Sequence, residues 1–375
     1  MRHLGTIGLV LAFLLAEVTA LRYYGNLFLA HFSAPVFATP PDFLCYWTNG
    51  AIARGQLPAS AGAAVGPFLY PPSFLLVAAP LSLLSQKTAY LVWLGGTNLA
   101  AAAAARWVGM SPRAIVLSLL SPPNLYCIAT GQTGALLAAS QLLAFGLAER
   151  HPIVAGLSAS LLIIKPQFML LAPICFLVSG NFRALAAFLT GILLWCLLPA
   201  LFFGPDLWPH FLHAEPAISR VVMDRPWPEP YEGVLISWFI MLRSLGAGLS
   251  LAYTGQFLVS LVAACGTAML WFKHRAPNSA RLTTTLCLTA LAAPYGYLYD
   301  IPALAMSLAN DMERDQRTAL ACAIFWLISG FYLFISMTSF VSGALFLSLL
   351  AGYFYQMARP ENMRLIPVNL PRSKP

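Results

Sequence analysis

Long apolar stretches recur from one end of the 375-residue chain to the other and leave little polar sequence between them. They fall at about 4–21, 72–86, 88–107, 114–130, 132–148, 152–178, 183–203, 234–245, 249–272, 282–309, 318–337 and 339–357. Because a helix needs about 20 apolar residues to cross a bilayer, this pattern predicts an all-α polytopic membrane protein with about 10–12 transmembrane helices. One crossing for each stretch is an even number, which puts both termini on the same side.

Two of these stretches contain a break that predicts a discontinuous helix. One is interrupted at Lys165-Pro166-Gln167, and the other at residues 294–300, which read Pro-Tyr-Gly-Tyr-Leu-Tyr-Asp. Broken helices at membrane depth persist only where protein or a watery cavity satisfies the freed backbone groups. Strict alternation of crossings also places Glu149, Arg150 and the loop at 273–281 outside, against the positive-inside rule. We therefore expect some stretches to be half-spans or hairpins.

The long polar segments predict loops within a single domain. Residues 22–70 and 204–232 fall outside the cytoplasm if the N-terminus is inside, and both carry aromatic residues at near-helical spacing. Such spacing favours short interfacial helices lying on the bilayer. Residues 1–21 fit an uncleaved signal anchor better than a cleaved signal peptide, because many more spans follow. We predict one transmembrane domain over 1–358 and a cytoplasmic basic tail over 359–375.

Composition agrees with a membrane protein and excludes other classes. The chain is 59% hydrophobic and 9% charged with a mean hydropathy of +0.74, whereas a soluble domain carries about a quarter charged residues. The net charge of +8 comes from basic residues scattered singly at the ends of apolar stretches. That pattern orients a membrane protein and does not form a nucleic-acid patch. The seven cysteines have no Cys-x-x-Cys pair and no His/Cys ligand spacing, so we expect neither a disulfide framework nor a zinc site.

Asp42 is the only acidic residue between Glu17 and Glu149. The spacing from Thr39 to Asp42 fits a capping box with Pro40 at the first helical position. A carboxylate without an acidic neighbour also suits a general base, which must be ionised in order to accept a proton. The two interpretations are compatible, and both stay open.

Lys165 and Asp300 are charges inside apolar sequence, one at each predicted break. A charge in such a place costs about 2.5–3.5 kcal/mol on insertion scales, so each residue is a functional candidate. Lys165 could extend to the membrane interface, or it could meet an anionic headgroup as a point charge. Asp300, with Tyr295, Tyr297 and Tyr299 close by in the sequence, could pair with a lysine or arginine, bind a hydroxylated substrate or act as an alternative base.

The second polar loop supplies further candidates. Arg220 and Arg225 could contact a phosphate or a sugar, or be ordinary loop charges. His210, His213 and Glu215 are residue types that ligate metals, but on a solvated helix they are more often simply polar. We assign no metal site.

Taken in order, the motifs resemble those of glycosyltransferase family 87, integral membrane enzymes of the GT-C fold. The shared signals are Asp-Phe-x-x-Tyr-Trp-x-x-Gly at 42–50, Tyr-Pro-Pro at 70–72, Ala-Tyr-x-x-Trp at 89–93, Gly-Gln at 131–132, Ala-Gly-Leu through Lys-Pro-Gln at 155–167, and Tyr-Asp at 299–300. The resemblance covers most of the chain and is strongest over 42–93 and 131–167. The sequence departs from it near Pro294, where a histidine is expected and Tyr295 stands.

The resemblance implies a hexosyltransferase that moves a sugar, with mannose as the implied hexose, from a polyprenyl-phosphate donor to an acceptor hydroxyl. The acceptor would be a lipid or a glycan outside the cytoplasmic membrane, the anomeric centre would be inverted, and Asp42 would be the catalytic residue. The donor leaves as a stabilised phosphate anion, so one base suffices where a glycosidase needs two carboxylates. No cofactor is assigned, dependence on a divalent metal stays open, and the partners are donor, acceptor and membrane lipids without nucleic acid. The expected substrate-binding residues are Tyr46, Trp47, Tyr70, Gln132, Lys165, Gln167, Arg220, Arg225, Tyr299 and Asp300.

Two other classes of protein compete with an enzyme. A transporter or flippase of lipid-linked sugars would share broken helices and buried charges, but transporters usually show two related halves. No such repeat is visible in the sequence. A non-catalytic scaffold would gain nothing from the cost of placing polar groups in apolar stretches.

Overall fold

The computed structural model describes residues 2–33, 37–228, 232–272, 279–314, 316–332 and 343–358. The predicted tail at 359–375 and the loop at 273–278 lie outside the described residues. Regular structure in the described part of the chain is helical, with one isolated bridge between Leu235 and Tyr297. The prediction of an all-α polytopic membrane protein is therefore confirmed.

The longer helices follow one another along the chain, joined by turns and short 3₁₀ segments. The 3₁₀ segments are Pro72–Phe74, Leu162–Ile164, Pro166–Phe168, Glu232–Val234 and Leu298–Asp300. The α-helices are α1 (Arg2–Ser33), α2 (Pro41–Ala53), α3 (Ser60–Ala63), α4 (Leu75–Leu81), α5 (Gln86–Trp107), α6 (Pro112–Leu119), α7 (Pro122–Thr130), α8 (Gly134–Gly146), α9 (Pro152–Leu161), α10 (Leu171–Val178), α11 (Phe182–Phe203), α12 (Leu207–Met223), α13 (Trp238–Ser244), α14 (Leu249–Trp271), α15 (Ser279–Ala292), α16 (Pro302–Arg314), α17 (Gln316–Gly330) and α18 (Gly343–Met357).

Two helices, α11 and α14, are long and apolar enough to cross a membrane on their own, and α4 with α5 forms a bent pair that passes the same criterion. Only 17% of the most apolar window of α11 or α14 is buried within the protein. Exposed apolar side chains such as Leu201 and Val262 are suited to lipid rather than to water. The chain is thus an integral membrane protein.

Both predicted breaks are confirmed. The stretch at 152–178 divides into α9 and α10 around Lys165, and the stretch at 282–309 divides into α15 and α16 around Leu298–Asp300. Pro166 has no backbone N–H group to donate, so the helix that precedes Lys165 cannot continue through it. The freed backbone is covered by protein, because Ile164, Lys165 and Leu298 are all buried.

Contacts between distant segments define two ends of the bundle. The tyrosine end holds α2, Gln132, Lys165 and Asp300, and the arginine end holds Trp107, Glu149, Asn181 and Arg281. Contacts tie each end together: Lys165 pairs with Asp300, while Arg281 pairs with Glu149 and the amide of Asn181 donates to the Ala148 carbonyl.

This layout corrects the strict alternation of crossings. Helix α4 is seven residues long and meets α5 at 117°, so the stretch at 72–86 folds back and does not cross. The stretch at 234–245 yields only the seven-residue α13. If these two stretches do not cross and each broken stretch is counted twice, Glu149 and the beginning of α15 fall on the side where α1 begins, in agreement with the positive-inside rule. These sides stay a prediction.

Two further expectations about the first polar loop were wrong. Helix α1 continues to Ser33, so the loop does not begin at residue 22. The first residue of α2 is Pro41 and its N-cap is Pro40, while the Thr39 hydroxyl donates to Gln86 Oε1 at 2.6 Å. The capping box with Asp42 is therefore absent, because Thr39 is used to join α2 to α5.

Helix α2 does not lie on the bilayer with its aromatic residues in lipid. Phe43 and Tyr46 are buried against protein, at 0% and 2% exposure. The reason is a close approach between α2 and α4, where a side chain at Gly50 would overlap the backbone of Ala78. The other predicted loop helix is α12, whose Leu212 is 63% exposed, and its position on the membrane surface stays a prediction.

Candidate functional site

Asp42 projects from the first turn of α2, at the tyrosine end of the bundle. The fixed φ of Pro41 suits the first position of a helix, and a carboxylate is favoured near a helix N-terminus. The next turn of α2 is anchored by the buried rings of Phe43 and Tyr46, yet Asp42 itself is exposed. The fold thus holds an accessible carboxylate on a well-anchored helix.

A tight turn after α7 brings Gln132 to α2, where it meets Tyr46. Gly131 ends α7 in the left-handed conformation, with φ of 76°, and its carbonyl accepts a hydrogen bond of 2.8 Å from Trp93 Nε1. A side chain at Gly131 would collide with Cβ of Phe43, so glycine also permits the close packing of this turn on α2. The backbone N–H of Gln132 donates to the Cys127 carbonyl at 3.1 Å, which fixes the turn further.

The side-chain amide of Gln132 joins two tyrosines. The Tyr46 hydroxyl donates to Gln132 Oε1 at 2.9 Å, and the Tyr70 hydroxyl donates to the same oxygen at 3.3 Å. The two hydroxyls are themselves 2.8 Å apart. Three side chains from α2, the Tyr70 segment and the α7–α8 turn therefore form one network, and Asp42 lies one helical turn before Tyr46 on α2.

Lys165 and Asp300 form a buried ion pair at the two helix breaks. Lys165 Nζ lies 2.6 Å from Asp300 Oδ1, and the side chains are 9% and 0% exposed. The backbone N–H of Tyr297 donates to Asp300 Oδ2 at 3.2 Å. Among the alternatives left open by the sequence, Asp300 pairs with a cation, and Lys165 is buried rather than extended to the interface.

Tyrosine rings surround the Lys165 ammonium. It lies 4.8 Å from the ring centroid of Tyr299, 5.6 Å from that of Tyr297 and 5.9 Å from that of Tyr70. The rings of Tyr297 and Tyr299 stack at 4.9 Å. Distances of this size allow cation–π attraction, which strengthens when the cation is shielded from water. Tyr70 thus contacts both the Gln132 network and the environment of Lys165.

The segment carrying Asp300 is held in place by small residues of α7 and α8. The Cys127 thiol donates to the Tyr299 carbonyl at 3.0 Å, and a side chain at Gly134 would overlap that same oxygen. Sequence reasoning named Tyr297 beside Asp300 but did not include it among the binding residues. It gave no role in the site to Cys127 or Gly134, which nothing local marks.

The environment of Asp42 raises the pKa of its carboxyl group above the ordinary value. The cause is burial, since surrounding protein removes water that would stabilise the charge. Gln132 and the positive charge of Lys165 act in the opposite direction. Such a group combines access for a ligand with a proton affinity suited to a base.

A cleft of about 420 Å³ lies beside the Lys165 break. Its wall includes Arg220, Asp224 and Tyr295, and the Tyr253 hydroxyl donates to Asp224 Oδ1 at 2.7 Å. Gln167 Nε2 donates to the Tyr295 carbonyl at 3.3 Å, which connects the cleft wall to the broken segment that carries Lys165. The cleft offers a guanidinium, a carboxylate and aromatic hydroxyls at the tyrosine end.

Two of the predicted binding residues lie apart from this arrangement. The Trp47 indole donates to the Leu84 carbonyl at 2.9 Å and so joins α2 to the turn after α4. Arg225 is exposed and is absent from the cleft wall, while its carbonyl accepts from Arg243 Nη2 at 2.8 Å. Among the described residues, no three His, Cys, Asp or Glu side chains converge to form a metal site.

Comparison with known protein families identifies a match. The model of glycosyltransferase family 87 matches residues 68–294, more than half of the chain. The matched range contains Tyr70, Gln132, Lys165 and Arg220, whereas Asp42 lies before it. No curated protein and no solved structure matches the chain.

Proposed function

The chain belongs to glycosyltransferase family 87 and is a membrane glycosyltransferase, and we propose that it transfers a hexose, taken to be mannose, from a polyprenyl-phosphate donor. The acceptor is a hydroxyl group of a lipid or glycan. The observation that carries this proposal is Asp42, an exposed carboxylate with a raised pKa on a helix whose next turn is anchored by buried aromatic rings.

Asp42 acts as the general base in this proposal. It accepts the proton of the acceptor hydroxyl while the acceptor oxygen forms a bond to C1 of the sugar. The bond between C1 and the phosphate oxygen breaks, and its electron pair leaves with the polyprenyl phosphate. Since phosphate is stable as an anion, no second carboxylate has to protonate it. Attack opposite to the leaving group inverts the configuration at C1.

Arg220 is the cation best suited to the donor phosphate. Lys165 is already neutralised by Asp300, so little of its charge is free for a second anion. Arg220 is exposed in a cleft of about 420 Å³, a volume within the usual range for small-molecule sites. A guanidinium can also bind two phosphate oxygens at once. Tyr253 and Tyr295 in the same wall offer hydroxyls and ring faces to the sugar.

The charge distribution supports an active site outside the cytoplasm. Arg106, Arg113, Arg150, Arg183 and Arg281 lie at the arginine end, in or beside its turns. The positive-inside rule places that end in the cytoplasm and the tyrosine end, with Asp42, on the other side. A cysteine introduced at Arg113 would then resist a membrane-impermeant thiol reagent in intact cells, while one at Asp206 would react.

Purified protein in detergent, supplied with polyprenyl-phosphate mannose and a hydroxyl acceptor, tests the function. The expected result is a glycosylated acceptor together with free polyprenyl phosphate. A lipid-linked-sugar flippase, the alternative class, would form neither product. The same assay with Asp42→Asn tests the base, and transfer at nearly the wild-type rate would contradict that assignment.

A further inference from the structure

We infer that the arginine end of the bundle binds the headgroup of an anionic phospholipid through a basic patch formed by Arg106, Arg150 and Arg183. Neither membership of the family nor the proposed transfer reaction assigns a function to this end. The patch lies at the opposite end of the bundle from Asp42 and from the cleft that contains Arg220. It can therefore be tested without measuring sugar transfer.

Two contacts bring separate turns together at this end. The ring of Trp107, the last residue of α5, lies 5.7 Å from the ring of His151, which directly precedes α9. The side-chain amide of Asn181, which directly precedes α11, donates to the carbonyl of Ala148 in the turn after α8. The end of α5, the turn between α8 and α9, and the beginning of α11 thus form one continuous surface.

Helices α9 and α11 run side by side away from this surface. A side chain at Gly156 of α9 would overlap the carbonyl of Ala184, and a side chain at Gly191 of α11 would overlap the hydroxyl of Ser160. The contact positions advance in the same direction along both helices, so α9 and α11 are parallel. They therefore begin next to each other at the arginine end.

The three arginines of the basic patch are exposed, and each lies within two residues of one of the contacts that join the turns. Glu149, the acid beside Arg150, is already paired with Arg281 at 2.6 Å. Among the described residues, none of the three arginines forms an ion pair. The basic patch thus presents positive charge that no ion pair with a described carboxylate compensates.

A phosphate diester is the anion that suits this charge. A guanidinium has five N–H donors in a planar fork and can bind two phosphate oxygens at once. Arg106 directs Nη1 to the Met110 carbonyl at 3.3 Å, which leaves its other donors for a ligand. A headgroup that carries its own ammonium group, as phosphatidylcholine does, would be repelled by the neighbouring guanidiniums. The basic patch therefore favours a lipid with net negative charge.

The surface beside the basic patch is apolar and suits acyl chains. Trp107 and Phe182 are 52% and 65% exposed, and exposed aromatic side chains are typical of the membrane interface. Leu189 and Leu193 are also exposed, and their spacing from Phe182 places all three on one face of α11. A ligand that joins a phosphate to apolar chains matches this order of charge, aromatic rings and leucines. In a membrane that ligand is a phospholipid.

Binding of dioleoylphosphatidylglycerol to the purified full-length protein tests the inference. The protein is delipidated in a neutral detergent, and bound lipid is counted by native mass spectrometry. Arg150→Gln combined with Arg183→Gln should raise the dissociation constant about 30-fold, since each basic residue near an anionic surface contributes a factor of about five. The matched control, Arg22→Gln with Arg225→Gln, removes the same charge from two other exposed arginines and should leave the constant unchanged.

Dioleoylphosphatidylcholine, which has the same acyl chains, should bind wild type about tenfold more weakly than phosphatidylglycerol. Equal affinity for the two lipids would overturn the inference. Equal weakening in the two double variants would also overturn it, because binding would then follow net charge rather than this patch. Millimolar glycerol phosphate is the soluble probe, and displacement of the lipid by it would assign the patch to a free phosphate compound instead.

Arg106→Gln provides a second, milder test in case the double variant does not fold, which thermal unfolding in detergent detects. This single change should weaken phosphatidylglycerol binding about fivefold, and an unchanged constant would exclude Arg106 from the patch and overturn the inference as stated. Asp42→Asn should bind the lipid as wild type does. The outcome is therefore independent of whether the proposed transfer reaction is confirmed.

Discussion

The two ends of the bundle each contain an ion pair of the same length, and only one of them belongs to the candidate site. Lys165 lies 2.6 Å from Asp300 at the tyrosine end, and Arg281 lies 2.6 Å from Glu149 at the arginine end. Both pairs join positions more than 130 residues apart in the chain. An ion pair between distant segments therefore does not by itself mark a site of chemistry.

The surroundings of the two pairs differ. The arginine-end pair joins the turn after α8 to the start of α15, and the Arg281 guanidinium stacks 4.5 Å from the ring of Trp271. The tyrosine-end pair lies at two helix breaks, among tyrosines, and beside an accessible carboxylate at Asp42. Interrupted backbone and an open acid distinguish the end that is proposed to be reactive, whereas the other pair ties a turn to the first turn of a helix.

The largest difference between the ends is expected in sugar transfer. Asp42→Asn removes the proposed base and lowers the transfer rate by about 10²- to 10⁴-fold, the usual contribution of general base catalysis. Glu313→Gln, an exposed carboxylate at the arginine end, is the control and keeps the wild-type rate. The measurement is release of polyprenyl phosphate per folded protein. Equal rates for the two variants would remove the functional distinction between the ends.

Breaking each ion pair from its cationic side is expected to separate the two ends in stability. Lys165→Met leaves the Asp300 side chain, 0% exposed, without its cation and costs about 3–5 kcal/mol of unfolding free energy. Arg281→Met leaves Glu149, which is 24% exposed and can gain water, so its loss is smaller. Thermal unfolding in detergent measures both.

A double variant provides the control for this comparison. Lys165→Met combined with Asp300→Asn removes both charges and recovers part of the stability, because no uncompensated carboxylate remains. If the double variant recovers stability but does not recover sugar transfer, the tyrosine-end pair serves function as well as folding. If Lys165→Met and Arg281→Met were equally stable, the deeper burial of Asp300 relative to Glu149 would not explain the effect of losing the cation.

The sequence was sufficient for those features of the site that have a local cause. Proline beside a charge in apolar sequence locates the break at Lys165, and the run of tyrosines with glycine locates the break before Asp300. The isolation of Asp42 among apolar residues singled it out as well. Each of these signals is a polar or irregular group within apolar sequence. Such a group is costly in a membrane, so it stands out in the hydropathy of the chain.

Features that depend on distant partners were beyond the sequence. Hydropathy does not distinguish an apolar segment that crosses from one that folds back, so α4 was counted as a crossing. The spacing from Thr39 to Asp42 predicts a cap on α2, but Thr39 bonds instead to Gln86 on α5. This partner is 47 residues away and therefore leaves no signal in the local sequence. The pairing of Lys165 with Asp300 was one option among several for the same reason. Local pattern determines which groups need a partner, and packing determines which partner they obtain.

Helix α8 carries a glycine near each end of the bundle, and these two glycines should respond differently to a methyl group. A Cβ at Gly134 would overlap the Tyr299 carbonyl, a backbone atom next to Asp300. At Gly146 it would lie 2.6 Å from a side-chain methyl of Val108, which can rotate away. Gly134→Ala should cost about 1–3 kcal/mol and lower transfer, since the segment that positions Asp300 must shift. Gly146→Ala should keep the transfer rate, and equal losses in the two variants would contradict the account.

A smaller effect is expected when an exposed arginine is removed from each end. Arg220→Gln takes the guanidinium from the cleft and raises KM for the donor by about threefold to tenfold, with kcat little changed. Arg113→Gln removes an exposed arginine at the first turn of α6 and leaves KM unaltered. Arg225→Gln tests the neighbouring loop position and should resemble Arg113→Gln, because Arg225 does not line the cleft. Initial rates over a range of donor concentrations distinguish these outcomes.

The smallest effect concerns stability at Asp42, where function and folding are expected to oppose each other. Burial raises the pKa of Asp42 above its value in the unfolded chain, so the folded state binds this proton more tightly. The resulting stabilisation is complete below the unfolded pKa and is lost as pH rises through the folded pKa. Asp42→Asn, which cannot ionise, should therefore be more stable than wild type at neutral pH, and the difference should vanish in acid. Midpoints of thermal unfolding between pH 4 and pH 8 measure it, with Glu313→Gln as the exposed control. If Asp42→Asn were less stable than wild type at neutral pH, the ionised Asp42 carboxylate would stabilise the fold. The tyrosine end could then not be explained as the end that keeps an acid for chemistry at the expense of stability.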